Sequence, residues 1–307
     1  MDKFSGFLAI IKPPGMTSHD VVHWLRRLTG LKRIGHTGTL DPDAAGVLVL
    51  AMGRATRLTE YVTAQDKQYR AEVYLGTVTD TMDLSGQTLA TVDASAVGRR
   101  QVEEACASLT GTSHQVPPLV SAVKVAGRRL YEYARAGEEI TPPVRTVHIG
   151  KLEVVAFRPG KQAVVWLEIH CSKGTYVRTL AHDIGERLGV GGSLAFLVRT
   201  ASGQVSLADG RILGEIESAV QRGHLPELFL PVTRVLPGLP VVVAAQDAIE
   251  PISHGIPFQE EWVASGRLTQ VVDLPHLVVD AAGGPLAVVA WSAQRTLWRY
   301  RKVLAGS

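Results

Sequence analysis

Cysteine is scarce in this chain: two residues among 307, Cys106 and Cys171, far apart and without C-x-x-C spacing. That excludes a disulfide framework and a thiolate metal site, and it suits a reducing compartment. Long apolar runs are missing as well. None approaches the ~18 residues of a membrane span, and the stretch FLAII (Phe7 to Ile11) is cut off by Lys12-Pro13-Pro14, too short for a signal peptide. A cytoplasmic protein without membrane contact is the expectation. The ten histidines show no metal-ligand spacing, the H-x-E…P-C-x-x-C signature of a nucleobase deaminase is absent, and no Gly-x-Ser-x-Gly elbow occurs. No metal is expected. A large excess of one charge is lacking too: at +3, whole-chain electrostatics do not announce a nucleic-acid partner.

The composition is that of an ordinary globular protein with a well-filled core, 46% apolar and 20% charged. Its length allows one large domain plus a smaller one. Basic residues gather in three places, Arg26 to Arg33, Arg54 to Arg70 and Lys124 to Arg135. Together they would suit a phosphate backbone; any one alone reads equally well as a solvated helix face. Two phosphate motifs nearly fit and fail. GLKRIGHT (Gly30 to Thr37) carries His36 where a phosphate loop needs Lys, and GVGGSL (Gly189 to Leu194) ends on Leu where a dinucleotide fingerprint needs Gly.

Alternation and capping give the outline. FLAII reads as a buried strand, Thr17 or Ser18 caps a helix that Gly30 stops, and VLVLAM (Val47 to Met52) follows as an apolar strand. Residues 67–75 alternate Tyr69, Ala71, Val73 and Leu75 on one face. Ser95 offers a cap for a helix carrying Val102 to Leu109, and SAVKV (Ser121 to Val125) reads as a strand. A hairpin spans about 146–157 and 163–171, and Thr175 to Gly189 is an amphipathic helix. Beyond Leu230 short Val-rich strands suggest a small β-barrel or sandwich, with a boundary near Gly238. The fold class is α+β, with domains at 1–237 and 238–307.

The densest feature is GHTGTLDPDAAGVL, Gly35 to Leu48, with Asp41 between Leu40 and Pro42. Pro42 confines Asp41 to extended geometry, so the carboxylate is presented from a stiff loop rather than continuing a helix. Such a group can be nucleophile, general base, metal ligand or cap. Asp41-Pro42-Asp43 also leaves an aspartyl-phosphate transferase as a weak rival, because Ala45 replaces the threonine of that pattern. Two further segments are rich in functional side chains: Lys67-Gln68-Tyr69 running into TDTMDLSG (Thr79 to Gly86), and CSKGTYVRTL with Lys173, Tyr176 and Arg178.

Taken together, these segments resemble the TruB-type pseudouridine synthases, bacterial enzymes that act on the T-arm of tRNA. The likeness covers residues to about 200. It runs through KPPGMTSHD, the Asp41 loop, the K-x-Y strand with TDTMDLSG, VPPLVSAVKVAGRRLYEYARAG (Val116 to Gly137) and CSKGTYVRTLAHDIGERLGVGGSLAFLVRT (Cys171 to Thr200). The tail from 238 is similar to the PUA-like RNA-binding module of these enzymes. One departure is Val120, where many relatives have an aromatic residue. The resemblance implies a mixed, largely antiparallel sheet with flanking helices. It implies isomerisation of uridine to pseudouridine at position 55, without cofactor or guide RNA; since nothing in the sequence suggests an obligate protein partner, a monomer is expected. Asp41 would be the nucleophile, Arg178 its counter-charge, and Tyr69 the residue that stacks on the base and serves the carbon 5 proton. His36 would fill the space left by the extruded base, Leu197 close the pocket, and Tyr176 and Lys173 contact substrate. Lys12 and Asp20 would brace the loop. A tRNA-folding chaperone, with catalysis secondary, is the rival from another class.

Overall fold

Residues 4–121 and 123–305 are described by the computed structural model. They fall into two compact units. One takes in the chain up to Pro42, Gly46–Ala64 and everything from Ser202 onward; Asp43–Ala45 and Gln65–Ala201 make the other.

In the first unit, β1 (Gly6–Lys12), α1 (Ser18–Thr29), β2 (Ile34–His36), β3 (Ala45–Met52) and α2 (Thr59–Thr63) follow in order. β3 pairs antiparallel with β1, Phe7 opposite Ala51, and with β2, His36 opposite Leu50. Alternate residues of β1 and β3 enter two different apolar layers. Leu8, Ile10, Leu48 and Leu50 pack on Val21, Val22 and Leu25 of α1, whereas Phe7, Ala9, Val47 and Val49 pack with Leu277, Val279, Val288 and Leu304. A strand buried on both faces reads as an unbroken apolar run, which is why VLVLAM shows no alternation. α1 begins in a capping box: the Thr17 side chain accepts the Asp20 N–H at 3.0 Å and the Asp20 carboxylate accepts the Thr17 N–H at 2.8 Å. Asp20, expected to brace the Asp41 loop, instead caps α1 through Thr17.

The C-terminal strands form a five-stranded sheet in the order Val263–Gly266, Val241–Ala244, Pro275–Val279, Pro285–Ser292, Leu297–Val303. The second and third run parallel and the others antiparallel. Among the described residues its two edges do not pair, so the sheet is open where a barrel was expected. Both faces are already covered: one by Ala248, Ile252 and Phe258, the other by β1 and β3. Closure is not needed to bury them.

In the second unit, β4 (Lys67–Leu75) lies between Gly192–Ser202 and Ala163–Cys171, followed by Arg145–Arg158 and Gly111–Gln115. The hairpin is the one expected at Pro159-Gly160. The helices here are α3 (Arg99–Leu109), α4 (Leu130–Ala136) and α5 (Val177–Arg187). α3 starts later than its sequence suggested. The Asp93 carboxylate accepts the Ser95 N–H at 2.9 Å, and Ala94 donates to the Lys161 carbonyl, so this stretch turns before Gly98 caps the helix. The strand expected over Ser121 to Val125 shrinks to Lys124–Val125, paired with Arg128–Arg129; Ala122 lies outside the described residues. α5 meets the start of Gly192–Ser202 with no side chain between them. A Cβ on Gly185 would come within 2.1 Å of the Gly191 carbonyl carbon. Among the described residues no helix is long and apolar enough to cross a membrane.

Candidate active-site elements

Asp41 is fixed through its neighbours. The Ser18 hydroxyl receives the Leu40 N–H at 2.8 Å and donates to the Leu40 carbonyl at 3.2 Å. On the other side, the Pro42 carbonyl accepts from the Gly15 N–H at 3.0 Å and from Lys12 Nζ at 2.9 Å. Lys12 is fully buried and also donates to the carbonyls of Pro13 and Met16, at 2.9 and 2.5 Å. Three carbonyl dipoles hold the ammonium in place, as a buried cation requires. Gly15 takes φ +84°, open to glycine and strained for other residues, and so brings its N–H to Pro42. Lys12, Gly15 and Ser18 thus position the backbone on both sides of Asp41, whose half-buried side chain projects from between them. His36 ends β2, half-buried, with the His19 ring edge-on at 5.5 Å between centroids.

The second unit carries Tyr69, Arg178, Tyr176, Leu197 and Lys173. Arg178, expected as a counter-charge from the first turns of a helix, is 5% exposed. Its guanidinium donates to the carbonyls of Val120 at 3.0 Å and Thr81 at 3.4 Å, and lies 3.5 Å from the Asp83 carboxylate. Val120 therefore contributes its main chain, and its side chain is exposed. Asp83 is itself set by the hydroxyls of Thr81 and Ser85 at 2.7 and 2.5 Å. Its loop is tied down where Leu84 donates to the Leu194 carbonyl and Leu194 to that of Met82, at 3.0 and 2.9 Å. Gly86 closes this loop where a Cβ would stand 2.2 Å from Asp80 and Thr81 side-chain oxygens.

Tyr69 and Leu197 are both buried, on neighbouring strands. Arg199, two residues beyond Leu197 and so on the same strand face, hydrogen-bonds the Tyr69 side chain. It is 2% exposed, and desolvation lowers its pKa from the ordinary guanidinium value while Tyr69 opposes that shift. Sequence reasoning passed over both Arg199 and Asp83; the spacing from Leu197 and the acidic TDTMD turn were the available signals. Lys67, at the start of β4, is buried too. Desolvation, with Arg199 nearby, lowers its ammonium to about 8. Tyr176 stands at the N-terminus of α5, half-buried, where its N–H donates to the Gln115 side chain at 2.9 Å. Lys173 is exposed in the turn before it. Burial pushes the Cys106 thiol up to about 12 and the Cys171 thiol up to about 11, so both stay protonated and neither is a candidate nucleophile. Among the described residues no cluster of His, Cys, Asp and Glu has the geometry to hold a metal ion.

The model of the TruB family pseudouridylate synthase N-terminal domain matches residues 26–177, and that of the tRNA pseudouridylate synthase B C-terminal domain matches residues 178–236. The tRNA pseudouridine synthase B of Symbiobacterium thermophilum is 49% identical over 251 residues, 82% of either chain. That of Bacillus anthracis is 45% identical over 273 residues, 87% of this chain and 89% of the relative. Among solved structures, a Cbf5-Nop10-Gar1 complex has a chain with a TM-score of 0.74 at 25% identity, covering 99% of this chain and 86% of that one. An H/ACA RNP bound to a substrate RNA containing 2′-deoxyuridine gives 0.73 at 23%, with the same coverage, a likeness of fold. The matched segments contain the backbone-clamped Asp41, Tyr69 and the buried Arg178, and the chain belongs to the TruB family of pseudouridine synthases.

Proposed function

We propose that this enzyme isomerises a uridine in the T-arm loop of tRNA, position 55, with Asp41 as nucleophile. The observation that carries the reading is the double clamp on Leu40 and Pro42, which fixes the backbone around Asp41. The choice of tRNA rests on the names of the curated relatives. The reaction breaks the bond from ribose carbon 1 to uracil nitrogen 1, forms one to carbon 5, and moves the carbon 5 proton. No electrons are gained or lost and no second substrate is consumed. Asp41 attacks ribose carbon 1, displacing uracil and later being displaced by carbon 5, or it adds to uracil carbon 6 and is eliminated once the base has reattached. Both routes use the same ionised carboxylate, return it unchanged, and leave a proton on nitrogen 1 in place of the one lost from carbon 5.

The target base must leave its stack, at a cost of a few kcal/mol. His36 stacks into the space it leaves. Tyr69 lies against the base, Leu197 closes the other side, and Tyr176 and Lys173 contact the RNA. Arg178 supplies the positive charge that keeps a poorly solvated carboxylate ionised. Tyr69 removes the carbon 5 proton in the last step. A tyrosine acts as base only as phenolate, and the Arg199 guanidinium bonded to its side chain offers that anion a counter-charge. Residues 1–237 carry the chemistry, residues 238–307 form a β-rich RNA-binding module, and the enzyme works as a cytoplasmic monomer.

The test is to incubate the purified protein with a T-arm stem-loop and with full-length tRNA, then map pseudouridine. Conversion at the single loop uridine is expected. Conversion elsewhere, or none in either RNA, overturns the reading.

A further inference from the structure

At the far end of β3 from the Asp41 loop lies a cavity of about 430 Å³, lined by Arg33, Arg54, Arg57, Ser253, His254 and Gly255. The size is that of a small-ligand site, roughly 300–1,000 Å³. Its walls come from segments distant in sequence and tied by main-chain bonds. Gly53 donates to the Arg33 carbonyl at 2.8 Å, holding the Arg33 loop against the turn that carries Arg54 and Arg57. Arg54 donates to the Leu304 carbonyl at 3.1 Å, and Arg57 to that of Val303. None of the three arginines is within ion-pair distance of a carboxylate among the described residues. The nearby Glu60 is engaged by Lys302 at 2.9 Å. Neutral carbonyls therefore orient two of these cations without cancelling their charge.

We infer that this cavity binds phosphate groups of the substrate RNA, at a distance from the nucleotide being isomerised. The inference rests on the RNA substrate proposed above. Guanidinium forks pair with phosphate oxygens two at a time, and the His254 imidazole stands beside them; the Ser253 hydroxyl and the Gly255 N–H shape the wall while donating to the carbonyls of Glu250 and Ile252. β3 spans eight residues, which at ~3.3 Å each puts the cavity ~25 Å from the Asp41 end of the strand. An A-form RNA duplex advances less per base pair than the ~3.4 Å of B-DNA, so a stem of about five base pairs leading away along β3 falls short of the cavity and one of about twelve reaches it. The cavity would add affinity for a long stem and none for a short one.

Arg33 is the residue to change, because among the described residues its exposed side chain makes no hydrogen bond or ion pair. Wild type and Arg33→Gln are compared on T-arm hairpins with stems of about five and about twelve base pairs, by equilibrium binding across a salt series. On the long hairpin Arg33→Gln should bind about 3- to 10-fold more weakly, and its salt slope should fall by about one contact. On the short hairpin affinity and turnover should match wild type. An unchanged affinity and slope on the long stem overturns the proposal, as does an equal loss on both stems, which would mean diffuse attraction. Inorganic phosphate separates the remaining source: protection of Arg33 from phenylglyoxal by phosphate, with RNA binding untouched by the substitution, makes this a small-anion site and also overturns it. Wild-type turnover on the short hairpin reports separately on the parent reading, since no outcome at Arg33 affects it.

Discussion

The Asp41 loop and the segment around Arg178 are held by opposite means. Around Asp41 the bonds fall on the main chain of Leu40 and Pro42, from Ser18, Gly15 and the buried Lys12. Around Arg178 the bonds fall on the side chain itself, from two carbonyls and a carboxylate. The difference fits the two roles proposed for them. A nucleophile must move along its reaction coordinate, and here the backbone on either side of Asp41 is what the clamp fixes. A counter-charge acts by standing still.

The sharpest way to break this contrast is at the reactive group. Asp41→Asn should abolish isomerisation while leaving the affinity for a T-arm stem-loop within a few-fold, measured by pseudouridine mapping beside a binding titration. Retained turnover would remove the nucleophile from its role. A tRNA-refolding activity that survives in this variant would establish the chaperone as a separate function. Next in size, Arg178→Gln should lower the rate by roughly 10²- to 10³-fold, with affinity much less affected. If Arg178 were only a strut for its loop, thermal stability would fall and single-turnover rates at full saturation would stay near wild type.

Lys12→Met tests the backbone clamp. It leaves the part-buried carbonyls of Pro13 and Met16 without this donor, while that of Pro42 keeps the Gly15 N–H, and each group so left costs about 1–3 kcal/mol. A loss of roughly 3 kcal/mol in urea unfolding, with slower turnover, is expected. The smallest effect concerns the other buried lysine. Lys67 has its ammonium lowered from 10.5 to about 8 by burial. Unfolding restores the ordinary value, so between those pH values the unfolded chain holds the extra proton and wild-type stability rises with pH. Below about pH 8 both states are charged and the penalty is constant. Lys67→Met has no such proton. Its stability relative to wild type should fall by roughly 2–3 kcal/mol between pH 8 and 10.5; a difference independent of pH would mean Lys67 is not desolvated.

Much of the first region was legible because its signals are local. Pro42 restricts Asp41, Thr17 and Asp20 announce the cap of α1, and the apolar run of β3 declares burial on both faces. The partners of Arg178 were not legible. Val120 offers a main-chain carbonyl, which no side-chain pattern reveals, and Asp83 meets the arginine only after its loop is strapped to Leu194. At Ser95 a good capping residue was available, but Asp93 and Ala94 fold that stretch into a turn against Lys161, and the helix starts three residues later at Gly98. The strand Leu297–Val303 escaped notice because Arg299, Arg301 and Lys302 give it the charge of a surface tail, while Trp298 is buried on its inner side. The open C-terminal sheet follows from what covers its faces, which periodicity within the strands does not encode.

The layer shared by Phe7, Ala9, Val288 and Leu304 also sets a timetable. During synthesis β1 leaves the ribosome early, yet Leu230, whose N–H binds the Phe7 carbonyl at 2.8 Å, and Leu304 come more than two hundred residues later. At about 5–20 residues per second, the apolar side of β1 waits tens of seconds for its partners. Throughout that interval Phe7 and Ala9 have only the cover that Ala55, Leu58 and Val62 of the same layer supply, and a nascent-chain chaperone has its clearest reason to attend this protein there.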